Sequence, residues 1–264
     1  MNYRDTFSYT TISESLVDEH FGRPLYYYNT IGSTNIEAKI LATSGSPEGT
    51  LIVADEQTAG RGRFNRHWST PKGSGLAVSF ILKSRLSNPQ ISQMPMLGSL
   101  ATAYAIEQLC NTSPQLKWPN DVWIEQKKIA GILVETSYTK NLPEWLILGI
   151  GVNVNSAPLK VTNPYYDTSC LADIIGHKVD RVNLLQRLVH NVGLLYNKLE
   201  KNSIRKEWQK RMLWKNQHIE VIDSDQNPIE GIALGIEPNG ALLLQLLSGE
   251  HVNIYSGEIR LRSN

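Results

Sequence analysis

The sequence predicts an α+β protein, with a central mixed, mainly antiparallel sheet carrying helices on one side and a small β-barrel at the C-terminus. Three features predict it. Over the 264 residues the apolar period changes several times between the helical and the strand repeat. Four short apolar segments follow one another between residues 115 and 155 with only turn residues between them, which fits hairpin-linked strands and not βαβ units. From Gln217 onward short strands come at close intervals with Gly or Asn-Gly turns, as in a small barrel.

The elements follow in order. Residues 34–43 read as a helix, with Thr34 and Glu37 at the spacing of a capping box. Residues 50–56 and 75–83 are strands, rich in side chains that suit a pleated surface. Residues 92–110 place Met96, Leu100, Ala103, Tyr104 and Leu109 at helical spacing, which predicts a buried amphipathic helix. Strands are expected at 115–119, 121–125, 128–138 and 144–155. Pro158 and Pro164 bracket a polar stretch, so 156–167 reads as a loop. Helices return at about 181–200 and 203–213, and a boundary near Lys215 divides a domain of residues 1–214 from one of residues 215–264.

Bulk properties exclude several function classes. With 26 Lys+Arg against 25 Asp+Glu, no global field draws the chain to nucleic acid or anionic membrane, so any cationic function is local. Cys110 and Cys170 stand alone, without a CxxC, and support neither a disulfide framework nor a zinc site. The six histidines show no paired metal-ligand spacing, so no metal ligands are assigned. The N-terminus lacks the pattern of a secretory signal, and no apolar run approaches the roughly 20 residues that span a bilayer, so a cytoplasmic protein without membrane contact is expected.

Chemistry concentrates in three segments. In Gln57 to Trp68, Gly60 and Gly62 let the backbone bend close to a ligand, while Arg61, Arg63 and Arg66 offer planar forks for phosphate or carboxylate oxygens. The loop is neither a Walker A nor a dinucleotide fingerprint. A solvated basic turn is the plain reading of such a loop. Single-strand nucleic-acid binding is another, because Phe64 and Trp68 interleave the arginines as base-stacking residues would. The second segment is Lys117-Trp118-Pro119-Asn120-Asp121, whose last three residues suit a turn while the first two remain unexplained by it. The third, Lys127 to Glu135, puts a lysine before an apolar strand interrupted by Gly131, which suggests close approach of a ligand or another strand.

Together these segments resemble the biotin protein ligase family. The resemblance rests on Ser33-Thr34-Asn35, the GRGRxxRxW loop at 60–68, KWPND at 117–121, KxAGILVE at 128–135 and Gly149-Ile150-Gly151-Val152-Asn153, all in the family's order and spacing. It spans roughly residues 30–264, because Gly240-Ala241-Leu242 and Gly257-Glu258-Ile259 resemble the family's small terminal domain. It implies the class II synthetase-like fold of biotin and lipoate ligases with an SH3-like C-terminal barrel. The implied activity joins biotin to ATP as biotinyl-5'-AMP and passes the biotin to a lysine of a biotin carboxyl carrier protein, with Mg²⁺ arriving on the nucleotide and no permanently bound cofactor. A lipoate or octanoate ligase or transferase of the same fold is the nearest rival, and a biotin-binding regulator without catalysis another.

Residue by residue, the resemblance implies that Ser33, Thr34, Asn35 and Gln57 hold the ureido ring of biotin or its surroundings. Gly60, Arg61, Gly62 and Arg63 would border the carboxylate and phosphate, and Trp68 the valeryl chain. Gly131, Leu133 and Gly149 would line the floor. Lys128 would contact the reacting carboxylate and α-phosphate, and Lys128, Arg63, Lys117 and Asp121 form the expected catalytic set. On the nucleotide side stand Arg61, Arg63, Arg66, Lys117, Asn120, Lys128 and Asn153. The family's adenine-stacking tryptophan is missing; Tyr165 and Tyr166 occupy that loop, and Tyr166 takes the role. Some relatives carry an N-terminal helix-turn-helix domain, for which the 32 residues before Ser33 leave no room, so no specific DNA binding is expected. A monomer and a homodimer are both compatible with the pattern.

Overall fold

The computed structural model describes residues 6–17, 19, 21–83, 86–139, 142–157, 167–199, 203–222 and 228–262. In chain order the elements are α1 (Tyr9–Ser15), β1 (Leu25–Tyr28), α2 (Thr34–Thr43), β2 (Leu51–Ala54), β3 (Gly75–Lys83), α3 (Asn88–Ser92), α4 (Met94–Cys110), β4 (Gln115–Lys117), β5 (Asp121–Ile124), β6 (Lys127–Thr139) and β7 (Leu142–Asn153). Then come α5 (Leu171–Ile175), α6 (Arg181–Tyr196), α7 (Ser203–Lys210), β8 (His218–Ile222), β9 (Pro228–Ile236), β10 (Leu242–Leu246), β11 (His251–Ile254) and β12 (Glu258–Leu261).

The first seven strands form one sheet in the order β1-β2-β3-β7-β6-β5-β4. Only β1 and β2 run parallel; the other pairs are antiparallel, as the consecutive strand pattern requires. The last five strands form a separate antiparallel sheet in the order β11-β10-β9-β8-β12. Two N-terminal elements, α1 and β1, were not predicted. Neither carries a clear period: α1 is mostly polar, and β1 is the partly buried edge strand Leu25-Tyr26-Tyr27-Tyr28.

Strand alternation divides the large sheet into two faces. On β3, Leu76, Val78, Phe80 and Leu82 point into the main core, together with Leu146, Leu148, Ile150 and Val152 of β7. Against that face lie α4 and α6, while α7 packs on α4 and on β9. Sandwiched between the sheet and α6, α4 is buried nearly all round, and not along one stripe as its predicted amphipathicity implied. Its buried hydroxyls are satisfied within the helix: Ser99 donates to Pro95 O and Thr102 to Gly98 O, while Trp208 Nε1 of α7 donates to Ser99. Gly98 lets the helix sit close to the strands, since a Cβ there would meet Leu148 and Ile132 at 3.0–3.1 Å.

The opposite face carries α2, which packs through Ala38 onto Ile52, Ile81 and Ile147 and leaves the N-terminal part of β6 and the C-terminal part of β7 as a floor. The capping box expected at Thr34 and Glu37 does not form. Ser33 is the N-cap without a side-chain bond, the Thr34 hydroxyl donates to Gln57 Oε1, and Glu37 accepts from the Tyr28 hydroxyl. Gln57, distant in sequence, satisfies the helix terminus by also accepting from Thr34 N at 2.8 Å. Tyr165 and Tyr166, expected near adenine, lie outside the described residues.

Candidate active site

The floor of the site is made by cross-strand register. Ala77 pairs with Gly151 and Gly151 with Gly131, forming one row across β3, β7 and β6. Ser79, Gly149 and Leu133 form the next. All six lie on the face opposite the main core, so glycine and other small residues open a trough there. Its depth is already used by neighbours. A Cβ on Gly151 would come within 2.4 Å of the Trp68 indole, and one on Gly149 within 2.1 Å of Asn35 Oδ1.

A bulge brings the lysine to the same face. The β5–β6 register shifts between Val122 and Trp123, so that Trp123 opposes Lys128 while Val122 opposes Ala130. Ile129 is the extra residue, and it joins Ala130 in the main core. Lys128 and Gly131, three apart in sequence, therefore share the pocket face that strict alternation would deny them. Lys128 Nζ lies 2.7 Å from Asp121 Oδ1 and 5.8 Å from the Trp68 ring centre.

The arginine segment folds as a narrow hairpin across the trough. Gly62 N donates to Arg66 O and Trp68 N to Gly60 O, and the tip bends through Phe64 and Asn65, both at positive φ. Gly60 is required by proximity: a Cβ there would stand 2.4 Å from Trp68 O and 2.7 Å from Gln57 Nε2. The base of the hairpin is staked by a buried ion pair. Arg181 Nη1 lies 2.7 Å from Asp55 Oδ1 and donates to Gly75 O, so α6 holds the end of β2 and the start of β3 together.

The result is a cavity of about 310 Å³, at the small end of the range for ligand sites, roughly 300–1,000 Å³. Its two ends differ chemically. At one, beside the buried Ser33, a buried network joins Thr34, Asn35, Gln57 and Ser79, in which Ser79 Oγ is 2.6 Å from Asn35 Oδ1 and 2.8 Å from Thr34 Oγ1. At the other stand Arg61, Arg63, Arg66 and Lys128, three of them held by carboxylates from three different strands: Arg61 by Glu135, Arg66 by Glu258 and Lys128 by Asp121. Arg63 donates to Asn120 Oδ1, Gly257 O and Ser256 Oγ, so the C-terminal sheet completes the wall. Burial lowers the pKa of Arg63 from its ordinary value, with Asp121 and Glu258 working the other way.

Most predicted site residues meet on this cavity. Gly62, Asn120, Gly131, Leu133, Gly149 and Asn153 all line it beside the groups above. Asn120 Nδ2 also ties the turn to Ile132 O, and Asn153 Nδ2 ties the end of β7 to Ser169 O. Gly60 supports the hairpin from behind. Lys117 sits behind Asp121, buried, with Nζ 4.7 Å from the Trp123 ring and 5.2 Å from the Trp214 ring. Desolvation there lowers its pKa to about 8, with Asp121 opposing the shift and Lys128 adding to it.

Sequence reasoning missed Ser79, Glu135 and Glu258. Ser79 had a signal, a lone hydroxyl inside an otherwise apolar strand. Glu135 stood in a quoted motif but showed its use only once Asn35 and Arg61 were found on either side of it. Glu258 reaches the wall from a different sheet, 90 residues beyond Thr168, the lining residue that precedes it in the chain.

Comparison with known proteins agrees with this geometry. Residues 29–153 match the Biotin/lipoate A/B protein ligase family, and residues 216–262 match the Biotin protein ligase C terminal domain. The bifunctional ligase/repressor BirA of Bacillus subtilis is 33% identical over 96% of this chain and 79% of its own length. The biotin--[acetyl-CoA-carboxylase] ligase of Paracoccus denitrificans is 31% identical over 83% of this chain and 93% of its own. Among solved structures, the biotin protein ligase of Aquifex aeolicus in complex with biotin and ATP superposes with a TM-score of 0.76 at 28% identity, covering 92% of this chain and all of that one. With its motifs gathered on one trough and a relative of this similarity spanning nearly its whole length, the chain belongs to the biotin protein ligase family.

Proposed function

We propose that the chain is an ATP-dependent ligase that forms biotinyl-5'-AMP from biotin and ATP and transfers the biotin to a lysine of a biotin carboxyl carrier protein. The observation that carries this reading is the polarity of one cavity: a neutral group, Asn35, stands against Gly149 of the glycine floor, and a cation, Lys128, stands against Gly131. A small acid with a polar head, an apolar stem and a terminal carboxylate matches that order. Ser33, Thr34, Asn35 and Gln57 would take the ring, Gly131, Leu133, Gly149 and Trp68 the stem, and Lys128 with Arg61 and Arg63 the carboxylate. Arg66, Asn120 and Asn153 would face the nucleotide.

In the first step a carboxylate oxygen forms a bond to the α-phosphorus as the bond to the β-phosphate oxygen breaks, and pyrophosphate leaves. The carboxylate, with a reference pKa near ~4, is ionised already and needs no base. Repulsion between two anions is the obstacle, and cations between them remove it. Lys128 is the central one. Its pairing with Asp121 at 2.7 Å holds its ammonium group at the trough until the anions arrive. Magnesium enters as part of the substrate, MgATP; among the described residues no group of three His, Cys, Asp or Glu side chains is placed to hold a metal ion.

In the second step the amine of the carrier lysine forms an amide with the acyl carbon, the bond to the AMP oxygen breaks, and AMP leaves. The amine must first lose a proton. Asp121, which lines the pocket beside Lys128, would accept it.

The test is biotin-dependent exchange of pyrophosphate into ATP, followed by transfer to a carrier domain. Exchange and transfer with biotin are expected. Exchange with lipoate or octanoate in its place, or with no acid at all, refutes the reading.

A further inference from the structure

Glu135 joins the two ends of the site. Alternation on β6 puts it on the pocket face with Gly131 and Leu133, and its two carboxylate oxygens serve different elements. Oε2 accepts from Asn35 Nδ2 of α2 at 2.8 Å, and Oε1 accepts from Arg61 Nη2 of the arginine hairpin at 2.8 Å. With its nitrogen on Glu135 and its oxygen 2.6 Å from Ser79 Oγ, the Asn35 amide has one orientation. Arg61, one of the cations that the proposed reaction directs at substrate anions, is meanwhile held against the β6 wall.

We infer that Glu135 is a positioning residue that holds Arg61, and with it the arginine hairpin, in a ligand-free arrangement until an anionic substrate takes the guanidinium in its place. The inference rests on the proposed function for the identity of that anion. The strength of the contact suits exchange. Both side chains are about one-third exposed, 38% and 32%, and ion pairs at such positions are weak and sensitive to salt. A buried pair such as Arg181 with Asp55 would not yield to an incoming carboxylate; this one can. Holding Asn35 with its second oxygen keeps the ring end formed while the cationic end is exchanged. A carboxylate is needed for the first duty, whereas a carboxamide oxygen suffices for the second.

The experiment compares the parent protein with Glu135→Gln and Glu135→Ala. Trypsin cleavage at Arg61, Arg63 and Arg66 is followed without ligand at low and high salt, beside biotin affinity by calorimetry and the biotin KM and kcat of pyrophosphate exchange. In Glu135→Gln, ligand-free cleavage should rise about two- to fivefold at low salt, the factor a part-exposed pair supports, and its salt dependence should vanish. Biotin KM should fall in that variant, because the substrate carboxylate no longer has to displace Glu135 from Arg61. In Glu135→Ala, KM should rise instead, because Asn35 loses its partner. Parental cleavage and salt dependence in Glu135→Gln, with biotin still bound, would overturn the inference alone. Failure of the parent protein to bind biotin would instead remove the functional reading on which it rests. Since a variant that only loosened the fold would lose protection throughout the chain, the rise must be confined to the hairpin; a general rise also overturns it.

Discussion

Replacing Gly149 by alanine tests the site through a single methyl group. A Cβ at this position would stand 2.1 Å from Asn35 Oδ1, against about 3.4 Å for ordinary contact, so the amide must retreat by about 1.3 Å. It cannot do so freely, because Ser79 holds its oxygen at 2.6 Å and Glu135 its nitrogen at 2.8 Å. Moving Asn35 breaks one neutral hydrogen bond, worth about 0.5–1.5 kcal/mol, and one to a charged group, worth about 1.5–3 kcal/mol. The two together put the cost at about 2–4.5 kcal/mol, overlapping and extending above the roughly 1–3 kcal/mol typical of overpacked cores. Some of that will appear as lost stability. The remainder falls on the end of the trough assigned to the biotin ring, so biotin Kd should rise by roughly tenfold or more. Lys128 and its Asp121 partner are not displaced, and kcat for adenylate formation at saturating biotin should stay within about threefold of the parent. Calorimetry with biotin, denaturant unfolding and pyrophosphate exchange measure the three quantities. Parental biotin affinity in a variant of unchanged stability would refute the geometry of the trough floor.

Other substitutions probe the remaining parts. Lys128→Ala removes the cation at the reacting carboxylate and should slow adenylate formation by about one to two decades, with biotin Kd changed only a few-fold; formation of biotinyl-AMP at the parental rate would dismiss its role. Lys117 has its pKa depressed to about 8, so between about pH 8 and the ordinary lysine range the unfolded chain binds a proton that the folded chain does not. Its ionised burial costs stability below pH 8, and stability rises as pH climbs through that window, by up to about 3 kcal/mol. Unfolding of Lys117→Met from pH 7 to 10 should lose this rise relative to the parent, and parallel profiles would refute it. Arg181→Met leaves Asp55 charged and buried at the base of the hairpin, and should destabilise the fold by about 3–5 kcal/mol in urea titration; a loss under about 1 kcal/mol would argue against the stake. Finally, the hairpin at residues 60–67 should become more resistant to protease when biotin and ATP are added, because adenylate must be shielded from water; equal cleavage in both states would count against a lid.

Much of this fold is readable from local pattern. Strands β3, β6 and β7 alternate or run apolar between turn residues, and their predicted bounds differ from the observed ones by at most two residues. Elements without a period were missed, as α1 and β1 were, because their partners supply the burial. The site divides in the same way. Glycines in apolar strands, an arginine-rich loop between strands and a lysine before a strand are unusual wherever they stand, so the residues drew notice one segment at a time. Their pairings did not. The bulge at Ile129 that turns Lys128 toward the trough is a property of the β5–β6 register, and Lys117 was assigned to the pocket because nothing in its own segment places Trp214 over it.

What the sequence determined alone was therefore the inventory: which segments pleat or coil, where the chain bends, and which side chains carry charge into the site. These depend on interactions within a few residues, which a linear pattern records. Only the tertiary structure decided that Glu135 answers Arg61 and Asn35 together, that Gln57 caps a helix it does not belong to, and that a second sheet closes the wall through Glu258. Each of those contacts joins segments that become neighbours only when strand register and helix packing bring them together, and the energy that selects the register is spread over the whole core.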